Sequence, residues 1–109
     1  MRKKSLDKLK DSIRDKTKRT RGDSLAVVIV DLNRMLRGWF GYFKQAYPTT
    51  FKDLDGFIRR RLRALLLKQD KRVAFGFSIE INKRWPNAYF ANAGLFALQA
   101  AWVTARRSR

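Results

Sequence analysis

SLAVVIVDLNRMLRGWFGYFK, residues 24–44, decides the fold, because its first part read alone and its full length suggest different structures. Taken alone, VVIV (residues 27–30) suits a strand, since β-branched side chains pack well on a pleated surface. Extended to residue 44, the pattern is helical. Leu25, Val28, Ile29, Leu32, Met35, Leu36, Trp39, Phe40 and Phe43 fall on one side when each residue advances by roughly 100°. Ser24 is placed to cap this helix, which is expected over residues 24–45. Gly38 and Gly41 lie inside it, and each costs about 1 kcal/mol of helix preference relative to alanine. Something must approach the helix closely at these positions to offset that cost.

Toward the N-terminus, Leu6, Leu9 and Ile13 recur three and four residues apart, which predicts a short amphipathic helix over 5–18 with Ser5 as its cap. Asp7, Asp11 and Asp15 alternate there with Lys8, Lys10, Arg14 and Lys18, the pattern of a salt-bridged solvent face rather than of a metal site. Gly22 marks a turn. Toward the C-terminus, Pro48 disfavours helix at Tyr47, and Thr50 is placed to cap a third helix over 50–70. Its apolar stripe is Phe51, Leu54, Ile58, Leu62, Leu65 and Leu66, with Asp53 and Asp55 near the positive end of the helix dipole.

Amphipathic helices joined by short turns bury their faces against one another, so the expected class is all-α, a small helical bundle forming one domain over residues 1–109. VAFGFSIEI, residues 73–81, alternates apolar and small or polar residues, the period of extended chain. A strand, an ordered strap over the bundle and an intermolecular pairing all satisfy it. A last helix, alanine-rich and interrupted by Gly94, is expected over 87–106, carrying Tyr89, Leu95, Leu98, Trp102 and Val103.

Composition narrows the function. Lys and Arg number 26 against 9 Asp and Glu, a formal charge of +17 on 109 residues, which calls for a polyanionic partner. Cysteine and histidine are both absent, which removes disulfides, zinc sites of the usual ligand types, thiol nucleophiles and imidazole acid–base chemistry. No catalytic residue, metal or cofactor is expected. No apolar run is long enough to span a bilayer, and no leader pattern occurs, so a cytoplasmic protein of bacterial type is expected, with nucleoid association or an organellar setting also open.

The cations are patterned. On the second helix Arg34, Arg37, Gly38, Gly41 and Lys44 project together, opposite the apolar face. Two readings fit: a phosphate backbone approaches the glycines between flanking cations, or a neighbouring helix crosses there, as Val27 and Val30 on the same side suggest. On the third helix Lys52, Gly56, Arg59, Arg60 and Arg63 form a strip, and IRRRLR (residues 58–63) concentrates arginine, whose planar donor fork suits phosphate. Tyr42, Tyr47, Phe57 and Trp85 are candidates for stacking on unpaired bases, which points to structured RNA rather than duplex DNA.

LNRMLRGWFGYFKQA (32–46), FKDLDGFIRRRLR (51–63) followed by LLKQDKR (66–72), and RWPNAYFANAGLF (84–96) resemble, in that order, the C-terminal maturase-specific region, thumb and domain X, of group II intron reverse transcriptase/maturases. SLDKLKDSIRDKTKRTRGDSL (5–25) resembles the start of that region. The resemblance implies group II intron RNA as partner, a role in bringing that RNA to its splicing-competent fold, and a share in gripping template and primer. Intron target DNA and a polymerase domain of the same parent protein are the further implied partners. The paired aspartates of the family's polymerase domain and its His- and Cys-rich nuclease module have no counterpart here, so the chain is expected to be noncatalytic by itself. LLLKQ (65–69) stands where the family commonly carries a tryptophan-bearing run. The alternatives are a thumb-like structural module packed on a polymerase domain, and a basic amphipathic protein of membrane surfaces.

Overall fold

The apolar stripes legible in the spacing form the interior of an all-α bundle. The computed structural model describes residues 3–18, 22–43, 48–69 and 83–107. Helix α1 spans Lys3–Lys16, α2 Leu25–Phe43, α3 Pro48–Gln69, α4 Asn87–Asn92 and α5 Leu98–Arg107. Leu9 and Ile13 of α1, Val28, Leu32 and Leu36 of α2, and Phe51, Leu54, Ile58, Leu62 and Leu65 of α3 form one buried cluster. Phe40 packs at 5.5 Å from Phe51 and 5.9 Å from Phe96, and Trp39 meets Phe51 edge-on at 6.2 Å. This aromatic group joins α2, α3 and the loop ahead of α5.

Several helix limits differ from the expectation. Ser5 and Thr50 lie inside α1 and α3 rather than capping them, since both helices begin two residues earlier. Proline at the first position of α3 is well suited to a helix start, because it lacks only a donor that the first turn leaves unused. The extended segment expected over 73–81 lies outside the described residues.

The helix expected over 87–106 is two helices. Gly94, at φ +94°, takes a left-handed conformation that ends α4. The Leu95 amide donates to the Phe90 carbonyl and the Gly94 amide to the Ala91 carbonyl, each at 3.1 Å, the pair of bonds that closes a Schellman turn. That turn buries Phe90 rather than Tyr89, which stays exposed. Chain direction thereby changes between α4 and α5.

Polar side chains from other helices fix the new direction. Asp55 of α3, only 7% exposed, accepts hydrogen bonds from the amides of Leu98 at 2.9 Å and Gln99 at 3.0 Å, so it caps α5 from outside the helix. Asn33 of α2 donates to the Gly94 carbonyl at 2.8 Å and accepts from the Phe96 amide at 2.7 Å, which pins the intervening loop. At the far end of α1, Arg61 donates through Nε to Oγ1 of the buried Thr17 at 3.1 Å and through Nη2 to the Arg14 and Thr17 carbonyls at 3.2 and 3.4 Å. A cation on carbonyls that end a helix satisfies both their hydrogen-bonding capacity and the negative end of the dipole.

Burial pushes the Asp55 carboxyl above its ordinary pKa, opposed by the Gln99 and Leu98 amides and by the charge of Arg59. Because the folded value is raised, this ionisation's own contribution to stability is largest in acid and declines as pH rises through the interval between the ordinary and the raised value. Asp55→Ala is expected to lower stability at neutral pH by about 0.5–2 kcal/mol, the usual worth of a helix cap, and to abolish that pH dependence; urea melts at neutral and mildly acidic pH measure both. Gly94→Ala is expected to cost about 1–2 kcal/mol in the same melts, because its positive φ brings a Cβ against the backbone.

Candidate nucleic-acid interface

Helix α2 presents Arg34, Arg37, Gly38 and Gly41 to solvent. A methyl group placed on Gly38 or Gly41 would meet no atom within 4 Å, so among the described residues no helix crosses there. Of the two readings of these glycines, open approach is the one this geometry fits. Arg37 is steadied by the ring of Phe96, whose centroid lies 5.6 Å from its Cζ, and the guanidinium remains exposed. Val30 and Val27 continue the same stripe toward the start of α2, at 58% and 46% exposure. Lys44 and Tyr47 lie outside the described residues, as does the side chain of Tyr42.

Helix α3 divides its arginines. Arg59 and Arg60 reach back over Gly56, where a methyl group would lie 3.5 Å from Nη1 of Arg60 and 4.0 Å from Nη2 of Arg59. Helical side chains lean toward the N-terminus, so residues three and four positions on from the glycine converge above it. Lys52 is exposed one turn earlier. Arg63 does not belong to this strip. It is 8% exposed, donates through Nε to the Trp85 carbonyl at 2.8 Å and through Nη2 to Oδ1 of Asn87 at 2.9 Å, and lies 5.3 Å from the Phe90 ring centroid. Its guanidinium holds the entry to α4 against α3. Burial first, then repulsion by Arg59 and Arg60, lowers its pKa from the ordinary value.

Trp85 is likewise withdrawn from base stacking. It is 7% exposed and packs in the core, with Arg84 at 4.6 Å from its ring centroid on the outer side. Phe57 keeps a partly open ring on the seam between α1 and α3, where Lys10 at 5.7 Å and Arg14 at 5.2 Å stand over it. Two ion pairs follow the three-residue spacing of this segment, Arg14 with Asp11 at 2.8 Å within α1 and Lys18, just past its end, with Asp15 at 3.2 Å. No group of metal-ligating side chains occurs among the described residues, and no described helix is long and apolar enough to cross a membrane.

Sequence reasoning missed Thr17, Asn33, Asp55 and Arg61 as structural ties. A signal existed for three of them. Thr17 lies four residues after Ile13, Asn33 four after Ile29, and Asp55 four after Phe51, so each polar side chain occupies a position at the edge of an apolar stripe.

The fold and its exposed faces define a small, strongly basic helical domain whose outward cations exceed what its own acids can pair. The family model of the group II intron maturase-specific domain matches residues 6–86, and the chain belongs to that family. The matched span takes in most of α1 and all of α2 and α3, and ends immediately before α4. No curated protein and no solved structure matches the chain.

The two classes of arginine are separable by substitution. Arg63→Ala is expected to cost about 2 kcal/mol, since it leaves the buried Trp85 carbonyl without its donor and exposes the Phe90 ring. Arg60→Ala is expected to change stability by no more than about 0.5 kcal/mol, as exposed positions usually do, and chemical denaturation of both variants checks the contrast.

Proposed function

We propose that this domain binds group II intron RNA and assists splicing by holding that RNA in a productive fold. The intron performs the transesterification; the protein contributes binding free energy and is noncatalytic by itself. The observation that carries this reading is the pairing on α2 of exposed Arg34 and Arg37 with two exposed glycines that no described side chain covers. A phosphodiester backbone can lie nearer a glycine than any other residue, while the flanking guanidiniums meet its oxygens. The charge of +17 supports a polyanion, and family membership supports intron RNA as that polyanion. Lys52, Arg59 and Arg60 on α3 give a second phosphate-facing surface. Intron target DNA and a polymerase domain of the same parent protein are further partners under this reading, and the cytoplasm is the compartment.

Gly38→Ala with Gly41→Ala places two methyl groups in open space, so stability is expected to rise by up to about 1 kcal/mol per site. Affinity for a structured group II intron transcript is expected to fall about tenfold or more, the equivalent of one charge-assisted hydrogen bond. Thermal melts and fluorescence-polarisation titrations on the same variant read both quantities. A stabilised variant that binds the transcript as tightly as the parent overturns the close approach on α2.

A further inference from the structure

Arg59 and Arg60 place terminal nitrogens 4.0 and 3.5 Å from one point above Gly56. Among the described residues neither guanidinium donates a hydrogen bond or closes an ion pair, although Arg59 feels the charge of Asp55. Asp55 is committed to the amides of Leu98 and Gln99, and Arg63, the third guanidinium of the group, spends donors on Trp85 and Asn87. The neighbouring polar groups are therefore occupied with one another. Two cations converge over a half-buried glycine, and Lys52 is exposed one turn away.

We propose that Arg59, Arg60 and Gly56 form a clamp for a single phosphate, filled in the working protein by one phosphodiester of the bound RNA. The inference rests on the RNA-binding reading above and names one anchoring point within it. Arginine is suited to this work because its planar fork donates two parallel hydrogen bonds to a phosphate, where lysine offers only a point charge. Gly56 supplies the floor. With no side chain there, a phosphate oxygen settles between the two forks; a methyl group would take that space, in ordinary contact with both arginines. The clamp is sequence-independent, since it touches no base edge, so it fixes the register of the RNA on the domain rather than selecting a sequence.

The test compares charge-conserving and charge-removing variants of the 109-residue chain, with a structured group II intron transcript as probe and helical circular dichroism as the check on folding. Arg59→Lys with Arg60→Lys keeps both charges and is expected to weaken binding about tenfold with little change in the slope of log affinity against log salt. Arg59→Ala with Arg60→Ala is expected to reduce that slope by about 0.7 to 0.9, the loss of one phosphate contact. Gly56→Ala is expected to weaken binding while the helix holds. Inorganic phosphate in solution, followed by the NMR shifts of the arginine Nε–H groups, reports whether the clamp takes a free phosphate as well; shifts confined to Arg59 and Arg60 support it. A lysine variant that binds as tightly as the parent overturns the clamp and leaves the α2 interface standing. A parent chain that binds no RNA overturns both readings.

Discussion

A helix leaves unpaired amides at one end and unpaired carbonyls at the other, and in this protein side chains borrowed from other helices close several of those ends. Asp55 closes the start of α5, Arg61 the end of α1, and Asn33 the loop between α4 and α5. The need is acute because the closed helices are short: α5 has 10 residues and α1 has 14, lengths at which an isolated helix in water is marginal. Tertiary capping and apolar burial therefore act on the same segments. Removing a cap loosens the packing beneath it, since Leu98, the residue whose amide Asp55 accepts, is also fully buried.

Helix α3 bears most of this load. Within IRRRLR the helical period sends Arg61 toward α1 and Arg63 toward α4, and leaves Arg59 and Arg60 over Gly56. One run of like residues thus divides between internal ties and an outward-facing pair. Arginine suits the internal ties because its guanidinium remains charged when partly desolvated and its several donors can be shared among carbonyls.

The bundle was legible in the sequence because apolar spacing reports burial directly: Leu9 and Ile13, then Val28, Ile29, Leu32 and Leu36, then Phe51, Leu54, Ile58, Leu62 and Leu65 are buried where the stripes put them. Its polar fastenings were not, because a stripe counted by hydrophobicity passes over an aspartate or asparagine at its edge. Arg63 was placed on the outer strip for a related reason. Helical projection gives a direction for a side chain but not the neighbour in that direction, and the neighbour here, the Trp85–Asn87 corner, lies 22 or more residues away in the chain. Gly94 announced an interruption without its geometry. The exposed faces of α2 read more directly, since charge and glycine on the side away from a core have few places to go.

Read as a phosphate clamp, the pair of guanidiniums over Gly56 makes the folded state itself sensitive to the anions around it. Like charges held together by the fold weaken it, and any anion that settles among them restores the balance, so binding and folding are linked through the same groups. Multivalent oxyanions are consequently not inert solutes for this protein. On the clamp reading, phosphate or sulfate buffers strengthen the native state by occupying the cluster, and they compete there with the proposed RNA. On that same reading, the conditions that make the domain most robust in storage are those in which its basic surface is least available.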